Sequence, residues 1–423
     1  MLIYAQIITA LVTIAMLVCL FSPIAISIIY LFIRPLVQPL SVMNFTIGNG
    51  IPLTSIFSFV LIASIFINIF FRNKYIKINT RLIPLYLLLL LSTLSFLHTP
   101  QFFISIGGVV KLMTAISLYG LIYLAIRQET DVRTILIAYV LCSILPMVYG
   151  YYQYFTCTGH AWKGAFYASK RIDSVLMEWN AYGEFLCINL AACIMLFKQN
   201  NNSLLFRNFL ILLMTSMIIS LILSLNRGSW ICMSVGIVIG IFSFRSRVKL
   251  RKIIIIGILI SFVFGSVILQ RFNELNEVNS IGMSHNTFEG RIEGWKLLIP
   301  LILNHPIVGN GADVSLEITR SKLGVSFAPH NDYLRMALEI GIPGAILYIL
   351  FLAKEVLFAW RQRKNENTWS TNLGMFIITM YFFLLSIFQN IYTNMVVFPM
   401  FMGLLAVGHK YNYLKKNKQW ILS

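Results

Sequence analysis

Apolar residues fall along this chain in long runs separated by short polar connections. The runs lie at about 4–31, 54–71, 82–97, 102–126, 134–155, 179–197, 208–225, 229–244, 253–270, 333–353, 371–388 and 392–410. Most approach the roughly 20 residues a helix needs to cross a bilayer. The pattern predicts an all-α polytopic integral membrane protein of about 12 transmembrane helices. The first run is over-long and carries Ser22 and Pro23 near its middle. It therefore reads as a kinked helix or as a helix plus a re-entrant piece. It is too long for a cleavable signal peptide and lacks a small-residue cleavage site.

Composition agrees: 58% of residues are hydrophobic, 11% are charged and the mean hydropathy is +0.80, outside the range of soluble domains. No internal repeat or soluble domain is visible, so residues 1–423 read as a single membrane domain. A net charge of +18 would suit nucleic acid, but the position of the charges argues against that partner. Alternate connections read "RNKYIKINTR", "RQETDVR", "KQNNNSLLFR", "RSRVKLRK" and "KEVLFAWRQRK", followed by the tail "KKNKQ". With Lys410 these hold 21 of the 33 Lys and Arg. Basic residues concentrated in short loops mark the cytoplasmic side, which puts both termini in the cytoplasm.

The outward side then receives 32–53, 156–178, the tight "SLNRGSW" hairpin (224–230), and one long loop at 271–332. Within that loop "RIEGWKLLIPLILNHP" has an apolar face and Trp295, as expected of a helix lying at the interface. Five cysteines fall inside runs, where a free thiol behaves as a small apolar group. Only Cys157 faces outward, so no disulfide framework is implied. No His-x-x-x-His or Cys-x-x-Cys spacing occurs, and the expectation is no metal and no cofactor.

Candidate chemistry gathers on the outward side. Arg34 opens "RPLVQPL", Arg171 sits in "SKRIDSVLMEWNAYGEF", Arg227 in "SLNRGSW" and Arg291 in "FEGRIEGWK"; His330 precedes the run at 333–353. Each has a plainer reading. Arg34 at a span end can snorkel to headgroups, Arg171 can pair with Asp173 or Glu178, and Arg291 can be an interfacial cation. Asn331 and Asp332 can cap the helix that follows. Arg227 is harder to set aside, because charge at the hydrocarbon boundary is a functional hypothesis by default. Guanidinium forks suit phosphate oxygens, and an imidazole can take a proton from an attacking hydroxyl near neutrality. Together they describe glycosyl transfer from a polyprenyl-pyrophosphate sugar, with fixed cations offsetting the leaving group's charge.

"LSLNRGSWICMSVGIVIGI", "GRIEGWKLLIPLILNHPIVGNG" and "PHNDYLRMALEIGIPGAIL", in that order, resemble the core of the bacterial O-antigen ligase and O-antigen polymerase superfamily. The resemblance covers about 220–350, with a looser match in "RIDSVLMEWNAYGEF". It implies a metal-independent glycosyltransferase of the bacterial inner membrane. Such an enzyme works on the periplasmic side with undecaprenyl-pyrophosphate-linked oligosaccharide. By motif, the resemblance implies His330 as catalytic base and Arg227, Arg291 and Arg171 as pyrophosphate ligands. Asn331, Asp332, Glu339 and Arg34 stand behind them, and the glycines at 309–311 and 341–344 serve turns and packing. The acceptor is another lipid-linked repeat for a polymerase, towards which the reading leans, or the lipid A core for a ligase. A chain-length regulator and a flippase are further partners of such a system. A lipid-linked-sugar transporter is the competing class, and Lys111, charged within a run, is the residue that the enzyme reading leaves unexplained.

Overall fold

The computed structural model describes residues 14–39, 46–47, 51–52, 55–71, 79–97, 99–159, 171–197, 203–244, 265, 288–324 and 326–422. Their helices, in chain order, begin with α1 (Pro23–Leu36), α2 (Ser55–Phe70), α3 (Ile83–Ser95), α4 (Phe102–Ala125) and α5 (Glu129–Cys142). Then come α6 (Ile144–Thr156), α7 (Trp179–Phe197), α8 (Leu204–Leu223), α9 (Arg227–Ser243) and α10 (Phe288–Asn304). The chain closes with α11 (Ser315–Leu323), α12 (Asp332–Ile340), α13 (Ile342–Arg361), α14 (Trp369–Leu385) and α15 (Val397–Leu422). A two-residue pairing of Thr46–Ile47 with Ile51–Pro52 is the β structure among the described residues.

Among the described residues, six helical stretches are long and apolar enough to cross a membrane: Phe102–Ala125, Glu129–Thr156, Trp179–Phe197, Leu204–Leu223, Ile342–Lys364 and Glu366–Leu385. Four shorter apolar helices accompany them, at Pro23–Leu36, Ser55–Phe70, Thr80–Ser95 and Arg227–Ser243. This is a multi-pass helical membrane protein. The predicted span at 253–270, residue 265 apart, and the 271–287 part of the long loop lie outside the described residues. The over-long first run breaks at residues 19–22, where Ser22 caps α1 and Pro23 opens it; proline at the first helical position costs no hydrogen bond.

The predicted span at 333–353 is corrected: it is two helices, α12 and α13, separated at Gly341 (φ +87°). The "HPIVGNG" turn folds back onto the end of α12. Asn310 and Gly311 donate N–H bonds to the Leu338 and Glu339 carbonyls at 3.1 and 2.8 Å, and Ile342 donates to Pro306 at 2.7 Å. Carbonyls orphaned at a helix end need such partners, so the turn ends α12, and α13 starts afresh after Gly341.

Helices α7 and α14 form the centre of the bundle, 83% and 78% buried over their apolar windows, whereas α8 is only 33% buried. Small residues set the spacing. Gly236 and Gly240 on α9 lie against Ile377 and Leu373 of α14, where a Cβ at Gly236 would come 3.1 Å from the Ile377 carbonyl oxygen. Such small-residue pairs let membrane helices approach closely. His409 has a structural place. Its Nε2 lies 2.7 Å from Glu355 and its Nδ1 2.9 Å from the Tyr119 hydroxyl, tying α15 to α13 and α4.

Candidate functional site

The connection between α14 and α15, residues 386–396, is where the polar elements of one end of the bundle meet. Three remote segments, α12, α10 and α1, fasten to it by four bonds. Asp332 N–H donates to the Ser386 carbonyl at 2.7 Å, and Arg291 Nη1 donates to the Phe388 carbonyl at 2.9 Å. Arg335 Nη1 donates to Thr393 Oγ1 at 3.0 Å, and the Tyr30 hydroxyl donates to the Met395 carbonyl at 2.9 Å. The start of α9 lies alongside, since a Cβ at Gly228 would sit 3.1 Å from Leu385 Cδ1 and 3.9 Å from Gln389 Nε2.

His330 occupies the turn into α12. Its φ is +46°, a left-handed conformation that histidine tolerates better than most residues. Local bonds hold that turn on both sides. Trp295 Nε1 donates to the Pro329 carbonyl at 2.7 Å, and Asn331 Oδ1 accepts the Leu334 N–H at 3.0 Å as the helix cap. The imidazole itself is half-buried and makes no hydrogen bond among the described residues. Burial, followed by the charges of Arg291 and Arg335, pushes its pKa down to about 4. It is therefore neutral, with a free ring nitrogen, at physiological pH.

Arg291 projects from the first turns of α10. Its Nε is buried without a partner, and none of its nitrogens is paired with a carboxylate among the described residues. Burial and then the charge of Arg227 lower its pKa, so the two guanidiniums feel each other. Arg227 is the first residue of α9, beyond Asn226, whose Oδ1 accepts the Ser229 N–H at 3.1 Å. For Arg291, half-buried and facing a second cation, the arrangement is costly unless an anion joins it.

The remaining residues singled out from the sequence have other partners. Arg171 braces the turn ahead of Arg227: its Nε donates to the Ser224 carbonyl at 3.1 Å and its guanidinium lies 3.9 Å over the Trp179 ring. Arg34 is buried on α1, its Nη1 bonded to Gln38 Oε1 at 2.8 Å and its Nε without a partner. No ion pair or hydrogen bond joins it to His330 or Arg291. Asn331, not Asp332, is the cap. The Asp332 carboxylate, fully buried, accepts the N–H groups of Ile391 at 3.0 Å and Tyr392 at 3.3 Å. Burial pushes its pKa up to about 7. Glu339, also fully buried, bonds Arg335 at 2.8 Å and the Asp313 N–H at 2.8 Å. Lys111 has a partner: its Nζ lies 2.5 Å from Asp313 Oδ2.

Sequence reasoning missed Arg335, Asp313, Tyr392, Thr393 and the 386–396 connection itself. The signal was present in "SIFQNIYTNM", a polar cluster too rich for an idle turn between two spans. Gly309 (φ +70°) is required where it stands, since a Cβ there would come 2.3 Å from the Glu339 carbonyl oxygen. Gly309→Ala is expected to destabilise the protein by at least about 1–3 kcal/mol, read as a lowered thermal midpoint in detergent.

Residues 209–349 match the family described as O-Antigen ligase. The match supports membership of the chain in the O-antigen ligase and polymerase superfamily. The matched stretch carries Arg227, Arg291, His330, Asp332, Arg335 and Glu339, while the 386–396 connection that gathers them lies beyond it. No curated protein matches the chain. That family is one of glycosyltransferase-like enzymes of O-antigen assembly, which act on lipid-linked glycan at a membrane.

Proposed function

We propose that this protein transfers a glycan from undecaprenyl pyrophosphate to a sugar hydroxyl on the periplasmic side of the bacterial inner membrane. The observation that carries this reading is Arg291, its Nε buried without a partner, beside Arg227, with the unbonded imidazole of His330 close enough to feel the Arg291 charge. In the step proposed, His330 takes the proton of the acceptor hydroxyl as its oxygen bonds to the anomeric carbon of the donor sugar. The bond from that carbon to the phosphate oxygen breaks, and its electron pair leaves with the pyrophosphate. Arg227 and Arg291 offset the charge that grows there, and fixed cations of this kind are worth most in a water-poor site. Arg171 holds the Arg227 turn in place and can lend a second fork to the same phosphates.

A base works best when its pKa lies near the operating pH, and about 4 is too low. Burial is the larger cause, but Arg291, whose charge also depresses it, is a group that the donor would neutralise. Bound pyrophosphate should therefore raise the basicity of His330, so that the base becomes competent once the donor is in place. Diethylpyrocarbonate labelling of His330, followed by peptide mass spectrometry across pH, tests this. The labelling midpoint is expected near 4 in the free protein and about 1–3 pH units higher with pyrophosphate, the usual reach of a nearby opposite charge. An unchanged midpoint would remove the coupling.

The activity test uses purified protein in nanodiscs with undecaprenyl-pyrophosphate oligosaccharide. Released undecaprenyl pyrophosphate with a lengthened lipid-linked glycan supports a polymerase, the reading favoured by the sequence resemblance. Transfer only to added lipid A core supports a ligase. Movement of intact donor across the bilayer without cleavage would replace both with the transporter reading.

A further inference from the structure

One buried charged assembly lies outside the base and the arginine pair. It joins α4 through Lys111, the 309–314 turn through Asp313, α12 through Arg335 and Glu339, and the 386–396 connection through Tyr392 and Thr393. Arg335, 6% exposed, sits at its centre and gives each nitrogen a different partner. Nε reaches Glu339 Oε1 at 2.8 Å, Nη1 reaches Thr393 Oγ1 at 3.0 Å and Nη2 reaches Asp313 Oδ1 at 2.7 Å. The second Glu339 oxygen accepts the Tyr392 hydroxyl and the Asp313 N–H. Two cations, Lys111 and Arg335, balance two carboxylates, Asp313 and Glu339.

Stability does not explain this arrangement. A buried ion network is on average no better than apolar packing of the same volume, because desolvation offsets the attraction. What a guanidinium adds is direction: its planar fork fixes three partners relative to one another. The direction matters here because of what the two joined pieces carry. Helix α12 begins two residues after His330, and the connection supplies the Phe388 carbonyl that holds Arg291. Asp332 makes the first clasp between them, and Arg335 makes a second about 4.5 Å further along the helix. One clasp leaves a pivot, whereas two fix the angle.

We propose that Arg335, through Thr393, Glu339 and Asp313, is a positioning residue that locks the 386–396 connection against α12 and so sets the relation of His330 to Arg291. The proposal rests on the transferase reading for its consequence in turnover, but not for its geometry. Misplacing a reacting group by an ångström can cost about 100-fold in rate. Thr393→Val removes only the oxygen that receives Nη1, and Thr393→Ser keeps it. In nanodisc-held full-length protein, Thr393→Val is expected to lower kcat about 10- to 100-fold with donor KM within about twofold, and Thr393→Ser to retain wild-type rates.

Arg335→Met also removes one of the charges facing His330. Those charges are Arg291 from α10 and Arg335 from α12, with Arg227 from α9 beside Arg291. The labelling midpoint of His330 should therefore rise in Arg335→Met and stay put in Thr393→Ser. Wild-type kcat in Thr393→Val would overturn the proposal. If Arg335→Met fails to fold, the Thr393 pair still decides. If the wild-type protein transfers nothing, the transferase reading fails, and His330 labelling rates become the measure. A changed rate in Thr393→Val alone supports positioning, and equal rates in wild type, Thr393→Val and Thr393→Ser refute it.

Discussion

His330→Asn is expected to lower glycosyl transfer by about 100- to 10,000-fold, the range that a positioned general base contributes, while donor binding persists. Asparagine is the informative replacement because the position holds a left-handed backbone (φ +46°), which asparagine adopts as readily as histidine. Loss of turnover would then report the missing base and not a disturbed turn. The pH dependence supplies a second sign. In the free protein the folded-state pKa, about 4, lies below the ordinary 6.5, so the imidazole refuses a proton that the unfolded chain accepts between those values. Wild-type kcat/KM should accordingly hold as pH falls through 6.5 and decline only near the lower value, whereas the residual rate of His330→Asn should lack that acid limb. A well-folded His330→Asn protein with wild-type turnover would remove His330 from the chemistry.

How much of this could be read from the residues alone differs between fold and site. Helix positions were legible because each is a run of apolar residues, and α7 lies where the pattern puts it, at Trp179–Phe197. The break at Gly341 was missed because an apolar run carries no sign of where its backbone bonds end. "EIGIPG" held the clue, since a glycine after a helix followed by a proline is a stop and a restart. Arg227, Arg291 and His330 stood out because each was a costly residue in an apolar setting. Arg335 did not, since the sequence shows it only as a cation near the start of the apolar run 333–353, with no sign of what it meets. Only packing makes Arg335 and Glu339 buried and joins them to Lys111, Asp313 and Thr393, which lie up to 282 residues apart in the chain (393 − 111). Lys111, inexplicable in isolation, becomes the outer end of that assembly.

The second large effect is expected at the arginine pair. Arg227→Lys and Arg291→Lys each keep the charge and lose the planar fork, and each should lower kcat by about 100- to 1,000-fold, as loss of one transition-state charge stabiliser does elsewhere. Arg291→Lys has a further reason to fail. One arm of the guanidinium is committed to the Phe388 carbonyl at 2.9 Å while its Nε is left over. A single ammonium would have to choose between the carbonyl and the phosphate. In the proposed step both arginines face one leaving group, so their losses should not add. The double variant is expected to be little worse than the poorer single one, because groups acting as a unit fail as a unit. Fully additive losses would mean that the two arginines serve different anions, which is what a protein binding two lipid-linked pyrophosphates, one donor and one acceptor, would require. The double-mutant cycle thus tests the clamp and bears on the choice of acceptor.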